Sequence, residues 1–330
     1  MPGCAKGAPI TSPFDKIAAL RLVVAVSVLA YLGITLWGGW DAVAEAASRV
    51  GFVGMAAGCG LMLVNIWLRF VRWQAYLRVF GFTVPAGESL KIFVAGFAVA
   101  ITPGGAGEPV LRGLYLRRFR AGFPDVVAAY IAERISDLIS VLALSLLGML
   151  VYPAARPVVA IVALSIALLL LLLRQGRWID TLKTSIENRA GVLGRIVGPG
   201  LGTIVRVRRC FAPSLLVRGL VLPTIGWALT AIGFYYLAYL AGQPPPLLTC
   251  MFIYSFSILV GALSFLPGGL GSTEGTMIGL LLLGGMQQAD AIAVTLLNRI
   301  VTLWFSVALG VACLYLLPRR KHQDEASAGT

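Results

Sequence analysis

A proline-glycine-glycine motif occurs twice in this chain, each time in the middle of an apolar segment. The first copy, Pro103–Gly107, is followed by Glu108, and the second copy, Pro267–Gly271, is followed by Ser272 and then by Glu274. Proline moves the residue before it out of the helical region, and glycine permits a tight turn. Each motif therefore predicts a break at which an apolar helix turns back.

The sequence that follows each motif is also duplicated. Asp125 precedes Arg134 by nine residues, and Asp290 precedes Arg299 by nine. The proline of the motif precedes the aspartate by twenty-two residues in the first copy and by twenty-three in the second. In many carriers, each half contains a broken helix followed by a charged membrane helix, and together these form a binding site at the bilayer midplane.

The composition requires a membrane environment. Hydrophobic residues make up 58% of the 330 residues and charged residues only 12%, and several apolar runs approach the ~20 residues that a bilayer requires. We interpret residues 1–330 as a single integral membrane domain. The net charge of +13 does not indicate nucleic-acid binding, because Lys and Arg cluster at the ends of apolar segments, as the positive-inside rule requires.

Histidine and cysteine chemistry is excluded by where these residues occur. The one histidine is His322 in the polar tail, and the five cysteines form no CxxC pair. This pattern predicts neither a metal site nor a disulfide framework, and nothing in the sequence requires a cofactor.

The pattern of apolar segments predicts an all-α polytopic membrane protein with six full spans and two re-entrant hairpins. Repeat one covers about 89–151 and repeat two about 247–317, and a basic loop at 174–209 separates them. The glycine-rich part of this loop, 191–202, predicts a poor helix. The predicted spans are 17–37, 50–73, 124–151, 158–173, 213–241 and 289–317. A short loop containing Asp41, Glu45 and Arg49 connects the first two.

The basic residues predict how the chain is oriented. If the loops at 69–78, 112–120 and 174–209 and the C-terminus are cytoplasmic, both termini lie inside and the hairpins enter from opposite sides. The two repeats are then inverted relative to each other. Arg69 and Arg72, near the end of the second span, are expected to extend to the lipid headgroups.

Two arginines are predicted to lie deep in the membrane. Arg134 is ten residues into its span, about 15 Å at the helical rise, and Arg299 is equally deep. An unpaired arginine there costs roughly 2.5–3.5 kcal/mol. Glu133 and Asp137 offer Arg134 local partners, so this set is either part of the site or a purely structural network.

The second copy lacks those local acids, because Asn298 and Thr302 replace them. Arg299 therefore needs an acid from elsewhere or an anionic ligand, and it is the arginine favoured to bind substrate. Glu108 and Glu274 begin the return helices, where two alternatives stay open. Each glutamate caps its own helix, or it pairs with an arginine and leaves the N–H groups for an anion.

These motifs resemble the flippase-like transmembrane domain of lysylphosphatidylglycerol synthases, in its stand-alone form. The matching residues are RFVRW at 69–73, PGGAGE with Arg112, ERISD at 133–137, and PGGLGSTEG with Asn298 and Arg299. The resemblance covers about 17–317. It implies a protein of the bacterial-type inner membrane that moves an amphipathic lipid between leaflets. We expect no synthase activity, because only a short polar tail follows the last span.

We therefore hypothesise a translocase that moves an anionic, phosphate-bearing lipid by alternating access, one repeat rocking against the other. The cargo is a phospholipid or a polyprenyl (isoprenoid) phosphate. The predicted substrate-binding residues are Arg134, Arg299, Arg112, Gly104, Gly105, Gly107, Gly268, Gly269, Gly271 and Ser272. The predicted charge partners or proton sites are Glu108, Glu133, Asp137, Glu274 and Asn298.

Other functions stay open at this point. A membrane enzyme acting on lipid phosphates would hold a metal on Glu108, Glu133, Asp137 and Glu274. A carrier of small solutes or ions would use the same buried charges. The loop at 174–209 is expected to contact the anionic membrane surface, and it is also a candidate site for recruiting a lipid-modifying enzyme.

Overall fold

The computed structural model describes residues 31–149, 192–242 and 244–317, and isolated helical positions at 29, 157, 161, 164, 168 and 171. The regular elements in this part of the chain are all helical. The predicted spans 17–37 and 158–173 and the first part of the basic loop fall largely outside the described residues. Residues 31–38, which include the end of the first predicted span, are helical.

Helix α1 spans Trp40–Val79 and is interrupted at Gly51, whose φ of 58° is not helical. The predicted loop containing Asp41, Glu45 and Arg49 is wrong, because these residues form the beginning of this helix. Alanines between the charges favour a helix, and Glu45 pairs with Arg49 one turn later. The charges indicated a loop, but they lie on a short helix before the Gly51 kink.

The predicted break at Pro103 is confirmed. Helix α2 (Ala86–Ala95) continues as a 3₁₀ turn over Gly96–Val99, the motif itself forms a second 3₁₀ turn at Pro103–Gly105, and helix α3 follows over Gly107–Leu116. Helix α4 then spans Phe123–Met149.

Helix α5 (Val192–Cys210) corrects the expectation that 191–202 would be a poor helix. Each glycine costs about 1 kcal/mol relative to alanine in a helix. Packing at the other end of α5 offsets this cost, because Val207 and Cys210 are buried in the core. Arg206 Nε also donates to Asp125 Oδ1 of α4 at 3.0 Å. Helix α6 follows over Pro213–Ala241.

The second motif also breaks a helix, as predicted. Helix α7 (Leu247–Leu263) precedes the 3₁₀ turn Pro267–Gly269, and helix α8 (Ser272–Leu283) follows it. The last three elements are helix α9 (Gln288–Arg299), a π-helical turn (Ile300–Trp304) and helix α10 (Phe305–Leu316).

Three helical segments are long and apolar enough to cross a membrane by length and composition: Trp40–Val79, Pro213–Ala241 and Gln288–Leu316. Helix α4, with 27 residues, is also long enough at about 40 Å. It differs from these three because Glu133 and Asp137 are buried at its centre.

The two halves of the chain interlock. Helix α7 of the second half packs along α4 of the first half, and α10 packs against α2 and the Gly96–Val99 turn. A Cβ atom built on Gly310 would lie 2.3 Å from the backbone nitrogen of Ala98, so only glycine permits this close approach.

Candidate functional site

The two proline-glycine-glycine turns contact each other. Their backbones match: φ and ψ are 61° and 11° at Gly104, and 61° and 13° at Gly268. Gly105 and Gly269 follow with φ of 67° and 66°, the left-handed region that glycine adopts readily. A Cβ atom built on Gly268 would lie 3.6 Å from Ile101, which precedes the first turn. The structure therefore brings both predicted motifs to one place.

The turns use most of their N–H groups internally, contrary to the expectation that these groups face an anion. Gly105 N donates to the Thr102 carbonyl at 2.8 Å, and Gly107 N donates to Thr102 Oγ1 at 2.9 Å. Gly269 N donates to the Leu266 carbonyl at 2.9 Å. The Ser272 hydroxyl likewise donates to Ser264 Oγ at 2.9 Å. A tight turn satisfies most of its own donors, so few of these N–H groups stay available to an anion.

In the second half, Glu274 both caps its own helix and pairs with an arginine. Its Oε2 accepts a 2.7 Å hydrogen bond from Gly271 N, which caps α8, and its Oε1 accepts a 2.6 Å bond from Arg299 Nε. Tyr31 also donates to Oε1 at 3.0 Å. Arg299 Nη2 donates to the Gly268 carbonyl at 2.6 Å. Arg299 is only 5% exposed, so the acid from elsewhere that it required is Glu274.

In the first half, Glu108 pairs with two arginines. Its Oε2 lies 3.0 Å from Arg112 Nη2 and 3.2 Å from Arg134 Nη2. The predicted pairing of Arg134 with Glu133 and Asp137 is therefore wrong. Adjacent residues on a helix point in different directions, and Glu133 and Asp137 face other helices. Arg134 keeps 36% of its side chain exposed, which distinguishes it from Arg299.

Glu133 and Asp137 instead bind arginines from α1 and α3. Asp137 lies 2.9 Å from Arg72 and 3.3 Å from Arg69, while Glu133 Oε2 accepts a 2.7 Å bond from Arg112. Arg72 is fully buried and Arg69 nearly so. The expectation that they extend to the headgroups is wrong, because α4 supplies a buried carboxylate opposite them.

These contacts join the first-half charges into one network with an excess positive charge. Four guanidinium groups face three carboxylates, and the chain of pairs ends at Arg134. The members are Arg69, Asp137, Arg72, Glu133, Arg112, Glu108 and Arg134.

Aromatic rings lie over three arginines of this network, Arg69, Arg112 and Arg134. The Arg112 guanidinium lies 4.4 Å from the ring centroid of Phe93, and that of Arg134 lies 4.8 Å from Tyr130. Such contacts stabilise a cation by about 0.5–2 kcal/mol, depending on desolvation. A Cβ atom on Gly96 would lie 2.6 Å from Arg112 Nε, so this glycine makes room for the guanidinium.

Tyr130 connects the network to the first turn. Its hydroxyl donates to the Gly105 carbonyl at 2.9 Å. Asn298 lies elsewhere, buried, with its amide nitrogen 3.8 Å from the sulfur of Met277. The contacts between α1 and α4 could have been inferred from RFVRW and ERISD, because each sequence places like charges three or four residues apart on an apolar helix.

The duplicated aspartates also have matched partners. Asp125, in the first turn of α4, pairs with Arg206, and Asp290, in the first turn of α9, pairs with Arg49. Each aspartate thus links the beginning of a charged helix to a helix from a distant part of the chain.

The acids do not form a metal-ligand set. Glu108, Glu133, Asp137 and Glu274 each face a guanidinium. In residues 31–149, 192–242 and 244–317, no group of three or more His, Cys, Asp or Glu side chains is placed to hold a metal ion.

Known proteins match this chain over most of its length. The family model described as the lysylphosphatidylglycerol synthase TM region matches residues 19–310. A UPF0104 membrane protein of Methanothermobacter thermautotrophicus is 24% identical over 324 residues, which cover 89% of this chain and 94% of the relative. A UPF0104 membrane protein of Pyrococcus horikoshii is 24% identical over 323 residues, covering 88% and 94%.

Proposed function

The chain belongs to the family of the lysylphosphatidylglycerol synthase transmembrane region, and we propose that it is a lipid translocase. The proposed cargo is an anionic lipid with a phosphate headgroup, a phospholipid or a polyprenyl phosphate. The protein moves it between leaflets by alternating access, as a transporter and not as an enzyme.

The observation that supports this proposal most strongly is the partial exposure of Arg134. It ends a buried network with one excess positive charge, and more than a third of its side chain is exposed. It is the twelfth residue of α4, about 17 Å from the beginning of that helix. An excess cation at that depth is costly unless it faces water or an anion. A lipid phosphate has the charge and the hydrogen-bond acceptors that this guanidinium requires.

The position of Arg134 beside the two turns favours a translocation site. Its guanidinium lies over Tyr130, whose hydroxyl holds the Gly105 carbonyl. Phe265, just before the second turn, lies next to Gly104. Phe265 is largely exposed and adopts a φ of 53°, a conformation that is costly for a residue with a side chain. In the proposed mechanism, the phosphate binds at Arg134 while this apolar surface accommodates the lipid tail.

The ends of the molecule support the proposed orientation. One core cluster joins Leu77, Leu116, Val207 and Leu317, close to Arg78, Arg117, Arg118, Arg120, Arg208 and Arg209 in the sequence. At the other end, Arg49 pairs with Glu45 and Asp290, and Asp41 lies in the first turn of the same helix. By the positive-inside rule the arginine-rich end is cytoplasmic. We propose a multi-pass protein of the plasma (inner) membrane, with six spans, two opposed re-entrant hairpins and cytoplasmic termini.

The test compares Arg134→Gln with Arg299→Gln in proteoliposomes containing a fluorescent phosphatidylglycerol. Transport is followed as the loss of label accessible to a quencher outside the vesicles. We expect Arg134→Gln to slow transport at least tenfold, the effect of losing about 1.4 kcal/mol of headgroup binding. Its thermal stability in detergent should stay close to that of the wild type.

Arg299→Gln should give the opposite pattern. It leaves the buried Glu274 without its cation, which costs about 3 kcal/mol of stability, so the loss of folded protein should dominate. Arg134→Lys, which keeps the charge, is the matched control and should retain part of the transport. Unchanged transport by a folded Arg134→Gln protein would rule out the proposed function.

A further inference from the structure

A cleft of about 440 Å³ lies at the arginine-rich end of the molecule, away from the paired turns. It lies where the end of α1, the end of α5 and the beginning of α6 meet. Its volume is within the range of small-molecule sites. The lining residues are Ala75, Arg78, Val79, Arg209, Ala212, Ser214, Leu215 and Arg218.

Three arginines from three helices converge on this cleft. Within the described part of the chain, no carboxylate oxygen lies within 4.0 Å, the distance of an ion pair, of a side-chain nitrogen of Arg78, Arg209 or Arg218. All three side chains are exposed. By contrast, Arg118 at this end pairs with Glu88, and Arg206 pairs with Asp125. The cleft therefore concentrates positive charge that the described protein residues do not balance.

Helix dipoles explain only two of these arginines. Arg78 and Arg209 lie in the last turns of α1 and α5, where a cation is stabilised by the negative helix end. Arg218 lies near the beginning of α6, so it gains nothing from that effect. The dipole of its own helix therefore does not explain why Arg218 lies at the cleft.

The floor of the cleft indicates what kind of anion fits. Ala75 and Leu215 are buried beneath the arginines, and Val79 and Ala212 are partly buried. Val217 and Val221, further along α6, are exposed apolar side chains that extend from the cleft toward the middle of the helix. An anion with an attached apolar chain matches this arrangement better than a free ion.

We propose that this cleft is a second binding site, for the phosphate of an anionic phospholipid from the leaflet at the arginine-rich end. The arginines bind the phosphate, the Ser214 hydroxyl donates to it, and the acyl chains follow the exposed side of α6. The site does not depend on translocation, because it requires only that this end of the molecule lies at a membrane surface.

The test measures binding of dihexanoyl phosphatidic acid, a soluble short-chain lipid, to the full-length protein in detergent by titration calorimetry. The protein contains Arg134→Gln, so that the central site does not contribute. In this background we expect Arg218→Gln to weaken binding about tenfold, the effect of losing one charge-assisted hydrogen bond. Arg117→Gln, which removes an exposed arginine at the same end but outside the cleft, should change the affinity less than twofold. Arg209→Gln is the second variant if Arg218→Gln does not fold.

Two further ligands distinguish the sources of the anion. Inorganic phosphate should bind at least tenfold more weakly than the lipid, and dihexanoyl phosphatidylcholine should show no dependence on Arg218. Equal binding of phosphate and lipid would overturn the lipid assignment, and equal effects of Arg218→Gln and Arg117→Gln would overturn the site. Failure of the translocase proposal would appear instead as transport that is insensitive to Arg134, which leaves this titration unaffected.

Discussion

The two halves of the molecule build the same turn and surround it with different chemistry. Gly104 and Gly268 have nearly identical backbone angles, and a glutamate begins the return helix in both halves. In the second half, Glu274, Arg299 and the Gly268 carbonyl form a closed set of hydrogen bonds. In the first half, the corresponding Arg134 ends a chain of seven charges and stays partly exposed.

One substitution between the halves accounts for much of this difference. In the first half the Tyr130 hydroxyl donates to the Gly105 carbonyl of the turn, and Arg134 does not contact this carbonyl. The residue four before Arg299 is Thr295, which bonds back to Ala291 within its own helix, and Arg299 reaches the turn carbonyl itself. A duplicated backbone can therefore contain one arginine that is enclosed by its partners and one that stays partly exposed.

The largest expected effect breaks the first-half network. Asp137→Asn leaves Arg69 without its carboxylate and Arg72 with only Glu133, at 3.9 Å, and losing one member of a buried ion set costs about 3–5 kcal/mol. Thr302→Val, at the corresponding position of the second half, should cost about 1 kcal/mol, because it loses one hydrogen bond. Thermal unfolding in detergent, followed by tryptophan fluorescence, measures both. Similar losses in the two variants would contradict the difference between the halves.

A smaller effect should separate the two turns. Gly269→Ala places a Cβ atom 3.1 Å from the Gly261 backbone in a left-handed conformation. We expect a loss of about 3 kcal/mol, of which ~1–2 come from the backbone and the rest from overpacking.

Gly105→Ala is the comparison for that variant. Its Cβ atom would lie 2.5 Å from the Tyr130 hydroxyl, so this side chain must shift and lose its hydrogen bond to the Gly105 carbonyl. The loss should be about 2 kcal/mol, of which ~1 comes from the left-handed backbone and ~1 from the lost hydrogen bond. The same unfolding measurement ranks the two variants, and a larger loss for Gly105→Ala would show that the first turn is the tighter one.

The smallest effect tests the role of Tyr130. Tyr130→Phe removes one hydrogen bond to the Gly105 carbonyl and should cost about 1 kcal/mol of stability. If this bond keeps Arg134 away from the first turn, its loss lets Arg134 bind the Gly105 carbonyl. Arg134 is then less available to the lipid phosphate, and we expect transport to be slower than in the wild type. Transport at the wild-type rate, with the expected loss of stability, would mean that Tyr130 does not control Arg134.

Local features were predictable from the sequence, whereas most tertiary contacts were left open. The breaks at Pro103 and Pro267 follow from proline and glycine preferences within a few residues. The pairs Glu108–Arg134 and Glu274–Arg299 join residues 26 and 25 positions apart, so they depend on how the return helix packs on the next span. The burial of Arg72 and the helix at 192–210 likewise depend on neighbouring helices that local patterns do not identify.

The close approach at Gly310 limits how this protein can move. Helix α10 packs closely against α2, and α7 packs along α4. Each half of the sequence therefore contributes a helix that packs against the other half. In the proposed transport cycle, we therefore expect a tilting rigid body to include elements of both halves, and not residues 89–151 or 247–317 alone. Alternating access would then change the contacts between α10 and α2 and between α7 and α4, which join the two halves.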